Sequence, residues 1–248
     1  MKELIKKELN KFSLEPSLID NFIESVSEGL NQNGIEIWIN TIKSFSNSQT
    51  SRIIIKNIIE ETPAILRSIP QSQYLEWVKQ CYRISEVSED LSITYVNATT
   101  GVIENLKPRH LLDWGNIGLS LYRSSKNSTS LVNNFFKYSP SLCLKLNYEE
   151  LEILNDTLKR ISTRSISFSI KILDWVLKIS SIAPSDLTSW NRVINLVSKK
   201  LIKDFEEIFT ILAENADVIN ENKTFLNLLS LVIDDNPQIL KQFIKNSI

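Results

Sequence analysis

Residues 111–146 read LLDWGNIGLSLYRSSKNSTSLVNNFFKYSPSLCLKL. The pattern predicts an apolar helix anchored on Trp114, a polar turn from Ser124 to Asn127, and a second apolar helix carrying Phe135 and Phe136. Ser139-Pro140 and a short apolar tail close the stretch. On both sides the chain reads as degenerate copies of this unit.

Aligning the copies on the tryptophan position places Trp38, Trp77, Trp114, Leu154, Trp190 and Leu228 in one register, with successive spacings of 39, 37, 40, 36 and 38 residues. Three residues before each anchor stand Ile35, Tyr74, Leu111, Leu151, Leu187 and Phe225. Four after it stand Ile42, Cys81, Gly118, Leu158, Ile194 and Val232. Seven after it come Phe45, Ile84, Leu121, Ile161 and Val197, and then Asp235, where the pattern fails. These offsets define one face of an α-helix, so the same face is expected to be buried in copy after copy. A near-constant period with a constant buried face is the mark of stacked helical repeats. The expected fold is therefore all-α: an α-solenoid of about six degenerate HEAT/armadillo-like helical hairpins of about 38 residues.

Composition agrees. The chain has 248 residues, 42% hydrophobic and 23% charged, with only five glycines and seven prolines. Glycine is costly inside helices and useful in tight hairpins, so its scarcity favours long helices with short connections. The net charge of −1 and the pI near 6.0 show no basic footprint of the kind that holds nucleic acid. No apolar run approaches the ~18–20 residues of a membrane span. The N-terminal MKELIKKELNKF is a charged amphipathic helix without the features of a leader. Cys81 and Cys143 stand alone, so neither a disulfide framework nor a metal site is expected, and a reducing cytoplasm fits best. The Asn-x-Thr triplets at Asn97, Asn127 and Asn222 are read as chance in an Asn-rich chain.

Outside the central unit, residues 1–34 are expected to form a helical pair that caps the array, and residues 35–248 to continue with it as one domain. The first helix runs from about Lys2 to Phe12 and the second from about Leu18 to Leu30, closed by Asn33-Gly34. Polar turns at Ser46-Asn47-Ser48, Ser88-Glu89-Asp90 and Ser162-Thr163-Arg164 separate the two helices of a unit. Thr62-Pro63, Thr99-Thr100, Ser139-Pro140 and Asn215-Ala216 look like the end of the second helix and the start of a short third turn. Pro70, Pro108 and Pro184 mark the junctions between units. Asn236-Pro237 opens a last helix too short to complete a unit, as an atypical cap or a fragment of a longer protein would show.

No catalytic, cofactor-binding or metal-ligating residue is assigned. His110 is the only histidine and has no triad or metal partners in its motif, so a surface or cap position is expected. The adjacent carboxylates Glu60-Glu61, Glu149-Glu150, Glu206-Glu207 and Asp234-Asp235 point about 100° apart on a helix and so cannot share one acid/base site. They read as solvated faces or, at Glu149-Glu150, as charge favourable to a helix start. Gly115 and Gly118 flank Trp114 in one copy only, and close helix approach explains them better than phosphate binding. Lys199, Lys200 and Lys203 read as a solvated helix end. Lys159, Arg160 and Arg164 make the fourth unit basic near its turn, a hint of an acidic partner.

The Trp-centred helix, the aromatic pair followed by Ser-Pro and leucines, and the ~38-residue period resemble the helical repeats N-terminal to the von Willebrand factor A domain of NorD- and CbbO-like proteins. The resemblance covers residues 35 to 235 and is best in the third unit. It implies a cytoplasmic accessory protein that works with a MoxR-type AAA+ ATPase, the helical region docking the ATPase or its client. The Asp-x-Ser-x-Ser metal site of the von Willebrand domain has no counterpart here, so no metal ligand is carried over. The expected function is a non-catalytic protein-interaction scaffold with no cofactor. The alternative is a HEAT-like DNA glycosylase or other nucleic-acid-binding solenoid, which requires a basic concave face with an acidic residue beside aromatic ones.

Overall fold

Four serines start four helices in the same way. The side chains of Ser48, Ser88, Ser128 and Ser165 accept hydrogen bonds from the backbone N–H of Ser51, Leu91, Leu131 and Phe168, at 2.9, 3.4, 3.4 and 3.2 Å. Each satisfies an N–H that the helix cannot pair within itself. The helices so opened are α4 (Gln49–Ser68), α6 (Glu89–Ile103), α8 (Thr129–Cys143) and α10 (Ile166–Ile182). Between them run α5 (Gln71–Val87), α7 (Leu111–Ser124) and α9 (Tyr148–Ser162). Before them come α1 (Lys2–Leu9), α2 (Pro16–Gly29) and α3 (Gln32–Ser44); after them come α11 (Leu187–Lys200), α12 (Phe205–Glu214), α13 (Ala216–Glu221), α14 (Lys223–Asp235) and α15 (Leu240–Ser247). Short 3-10 turns stand at Asn10–Phe12, Pro108–His110 and Pro237–Ile239. This computed structural model describes residues 2–45, 48–183, 185–221 and 223–247, and among them all regular structure is helical, with no strand. Ser46 and Asn47 of the first polar turn, Pro184 of a unit junction, Asn222 of an Asn-x-Thr triplet and the terminal Ile248 lie outside the described residues.

The chain divides into two compact units, Met1–Leu119 with Phe135–Pro140, and Ser120–Asn134 with Ser141–Ile248. In the first, alternate helices are neighbours: α2 packs on α4, α4 on α6, and α3 on α5, while α5 also lies against α6. The N-terminal α2 therefore stands to α4 as α4 stands to α6. In the second, α9 packs on α10 and α11, and α11 on α12 and α14.

The buried face is the one the spacing predicts, up to the last copy. Trp38, Trp77, Trp114, Leu154 and Trp190 all have no exposed surface. The residues three before them, from Ile35 to Leu187, are also buried. The sixth anchor is wrong by one residue. Leu228 is 43% exposed, whereas Leu229 is fully buried together with Ile233 and, nearly so, Leu226. The helix is rotated by one position, about 100°, which also removes the need for an apolar residue at Asp235. Two adjacent leucines make the two registers equivalent by hydrophobicity, and packing selects one.

Several helix boundaries also differ from expectation. Asn33-Gly34 does not close α2; it lies in the first turn of α3, whose N-cap Asn31 accepts from the Gly34 N–H at 2.9 Å. The N-terminal helix ends at Leu9, a 3-10 turn follows, and Ser13 takes a left-handed conformation at φ 54°. Pro63 and Pro140 do not start new turns, because α4 and α8 run straight through them. The hydroxyl before each proline bonds back into its own helix, Thr62 Oγ1 to the Ile58 carbonyl at 2.6 Å and Ser139 Oγ to the Phe135 carbonyl at 2.7 Å. Thr99 does the same to Tyr95 at 2.8 Å, inside α6. Only at Asn215 does the expected break occur, between α12 and α13.

Candidate interaction surface

Three of the five tryptophans are tied down by polar partners as well as by packing. Trp77 Nε1 donates to Thr99 Oγ1 at 3.1 Å, Trp114 Nε1 to Ser139 Oγ at 2.9 Å, and Trp190 Nε1 to Asn220 Oδ1 at 2.8 Å. Thr62, fully buried, shares a 2.8 Å hydrogen bond with the Tyr74 hydroxyl; its own proton goes to Ile58, so Tyr74 donates. The Ser/Thr of the Ser-Pro and Thr-Pro signals is thus a buried acceptor facing the first helix. A buried indole N–H without such an acceptor costs about 1–3 kcal/mol, which matches hydroxyl to indole at Trp77 and Trp114, while the buried Trp38 Nε1 has no partner among the described residues. Where the anchor is Leu154, which has no N–H, the residue with the same offset from its N-cap serine is Val176, also fully buried.

The third copy holds the densest aromatic cluster. Tyr95 stacks on Trp114 with ring centroids 4.8 Å apart, and Phe136 meets Trp114 and Tyr95 edge-on at 5.2 and 5.3 Å. Gly115 and Gly118 make the room for it: a Cβ at Gly115 would lie 3.0 Å from the Tyr95 ring, and one at Gly118 only 2.1 Å from Phe136 Cζ. Both glycines serve packing. The Tyr95 hydroxyl is buried with no hydrogen-bond partner among the described residues. Tyr95→Phe is therefore expected to be neutral or to raise stability by up to about 1–2 kcal/mol, since it removes an unpaired buried polar group and keeps the ring. A loss above ~1 kcal/mol in chemical denaturation would mean that the hydroxyl has a partner.

His110 lies half-buried in the 3-10 turn before α7, where Arg109 Nε donates to its Nε2 at 3.1 Å and Asp113 stands 3.6 Å from its Nδ1. No group of three or more His, Cys, Asp or Glu side chains among the described residues is placed to hold a metal ion. Cys81 and Cys143 are free and buried, and burial pushes both thiols up, Cys143 to about 12. The adjacent carboxylates part company as helical geometry demands. Glu60 pairs with Lys56 at 3.6 Å while Glu61 accepts from Thr100. Glu150 closes a capping box on Asn147 at 3.0 Å, and Glu206 and Glu207 sit in the first turn of α12. Asp235 is exposed, and the side chain of Asp234 lies outside the described residues.

What the structure does bring together lies one period apart. Within the first unit, Gln71 Oε1 accepts from the Asn31 N–H, Asn57 Nδ2 donates to Asn97, and Gln80 Nε2 donates to Asn116, at separations of 40, 40 and 36 residues. Glu89 accepts from the Ser48 and Ser51 hydroxyls at 2.9 Å each, which holds its carboxyl below the usual range. Within the second unit, Asn191 Nδ2 donates to the Glu150 carbonyl and Asn195 Nδ2 to the Ile153 carbonyl, at separations of 41 and 42 residues. Arg160 Nε donates to Ser198 Oγ and Arg164 Nη1 to the Ile202 carbonyl, both at 3.1 Å and both across 38 residues. A sequence reading cannot find these pairs by side-chain type, but a period applied to the polar positions would have pointed to them.

The Arg164–Ile202 bond edges a cleft of about 230 Å³ lined by the end of α9, the starts of α10 and α12 and the segment that follows α11. Its walls include Ile161, Phe168, Ile202 and Phe205, and its rim carries Arg164, Lys203 and Glu206. Arg164 and Lys203, which the sequence singled out separately in the fourth and fifth copies, thus line one cleft. No described helix is long and apolar enough to cross a membrane. Compared with protein-family models, curated proteins and solved structures, the chain matches none.

Proposed function

We propose that the chain is a non-catalytic scaffold, an α-solenoid of about six degenerate HEAT/armadillo-like repeats of about 38 residues that docks a protein partner. The observation that carries this reading is the set of hydrogen bonds between alternate helices at separations from 36 to 42 residues, present in both compact units. Elements joined at a fixed period each expose an equivalent strip, and adjacent strips make an extended surface suited to another macromolecule. The resemblance to the helical region of NorD- and CbbO-like proteins supplies the partner class: a MoxR-type AAA+ ATPase or its client, in the cytoplasm.

The test is size-exclusion chromatography of the purified chain with a MoxR-type ATPase from the same source, followed by crosslinking and mass spectrometry. A co-eluting complex with crosslinks to the repeat surface is expected. Separate elution with no crosslinks removes the ATPase as partner. Salt-sensitive binding of duplex DNA in its place would overturn the protein-scaffold reading in favour of nucleic acid.

A further inference from the structure

We infer that the cleft edged by Arg164 and Lys203 binds a short acidic peptide segment that seats one apolar side chain against Phe168 and Phe205. The inference rests on the protein-docking reading and names the chemistry of one of its partner segments.

The rim is built by two chain segments held in register. α9 ends with Lys159 and Arg160 in its last turn, and α11 ends with Lys199 and Lys200 in its last turn. Arg164 and Lys203 lie just beyond these helix ends and are both exposed. The bonds from Arg160 to Ser198 and from Arg164 to the Ile202 carbonyl lock the two segments side by side. Six cations therefore stand at or just beyond the C-terminal ends of two neighbouring helices, and Arg164 and Lys203 among them line the cleft. None of the six is in an ion pair among the described residues.

Cations in the last turn of a helix have a local role, because they offset the negative end of the helix dipole. That accounts for Lys159, Arg160, Lys199 and Lys200. It does not account for Arg164 and Lys203, which follow the helices and line the cleft. Two exposed cations beside an apolar recess attract an anionic chain with an apolar anchor.

Two observations set the kind of occupant. The recess, about 230 Å³, is smaller than the ~300–1,000 Å³ of sites that enclose whole small molecules, so it suits a single side chain. Its floor is apolar, with the buried Phe168 and Phe205 in edge contact at 6.0 Å. The carboxylates facing the rim are Asp156 one turn back on α9, and Asp204, Glu206 and Glu207 at the start of α12. They limit the positive surface to one side of the recess. With a net charge of −1 the chain offers no extended basic surface for a polyphosphate strand, so the occupant is a short acidic peptide.

The probe is a fluorescein-labelled peptide Asp-Asp-Glu-Phe-Leu-Asp-Glu-Asp, titrated with the full chain by fluorescence anisotropy. Binding is expected with Kd on the order of 10–100 μM at low salt, weakening as salt rises. The double variant Arg164→Glu/Lys203→Glu should lose roughly tenfold or more in affinity while keeping its helical circular dichroism, and Lys203→Glu alone, which leaves the Arg164–Ile202 bond intact, should lose affinity with an unchanged melting temperature. Lys107→Glu, an exposed loop substitution in the other unit, should bind as the parent does. Replacing Phe-Leu in the peptide by Ala-Ala should weaken binding by a similar factor. Absence of binding, or affinity unchanged by the double variant or by the Ala-Ala peptide, overturns the site. Tighter binding of a single-stranded oligonucleotide than of the peptide overturns it in favour of nucleic acid. A protein complex that survives the double variant while the peptide fails to bind removes this cleft and leaves the scaffold reading intact.

Discussion

Trp114→Ala is expected to lower stability by about 3–5 kcal/mol in urea denaturation followed by circular dichroism. Trp114 has no exposed surface and contacts Tyr95 and Phe136 within one aromatic cluster. Its removal leaves a cavity that neighbours anchored on other helices cannot close. It also strands Ser139 Oγ, which accepts from the indole N–H at 2.9 Å. Ser139→Ala separates the two effects. It keeps the ring and removes only the acceptor, so its cost should be about 1–3 kcal/mol. A Trp114→Ala effect below ~1 kcal/mol would place the anchor outside the core and reopen it as a binding residue.

Gly118→Ala is expected to cost about 3 kcal/mol, with a sign that opposes helix propensity. Alanine is intrinsically better than glycine in a helix by about 1 kcal/mol, so on an open face this change stabilises. At Gly118 the added methyl would stand 2.1 Å from Phe136 Cζ. That ring cannot swing away, because Trp114 and Tyr95 hold it edge-on at 5.2 and 5.3 Å. Overpacking of this kind costs about 1–3 kcal/mol, and a held aromatic ring puts it at the upper end. Phe136→Leu opens the space, so the double variant should be more stable than the two single costs predict by at least ~1 kcal/mol. A stabilised Gly118→Ala protein would show that α7 and α8 are farther apart than described.

The helical class was legible because its signal is local. A face at offsets of three, four and seven residues follows from the pitch of one helix. The five anchors from Trp38 to Trp190 are buried as that face requires. The Ser-Pro and Thr-Pro signals were recognised as recurring and given the wrong role. Taken alone, a hydroxyl before proline suits a helix start. In the folded chain the hydroxyls of Thr62, Thr99 and Ser139 are buried acceptors for groups on other helices, and α4, α6 and α8 continue through them. The last copy was misread by one residue because Leu228 and Leu229 are chemically the same.

The candidate site was only half legible. Lys159, Arg160 and Arg164, and separately Lys199, Lys200 and Lys203, are visible as charge runs, and a charge run is most often a solvated helix end. Their meeting depends on bonds that span 38 residues, from Arg160 to Ser198 and from Arg164 to Ile202. Phe168 and Phe205 belong to two different helices and form a floor only when those helices pack.

Sequence by itself determined the helical class, the buried stripe and the matched spacing of tryptophans, because backbone geometry and hydrophobic burial act within a few turns of one helix. Tertiary structure decided which hydroxyl receives which indole, which of two leucines faces inward, and which cations share an edge. Those choices depend on partners about one repeat away, whose positions exist only once neighbouring helices have packed.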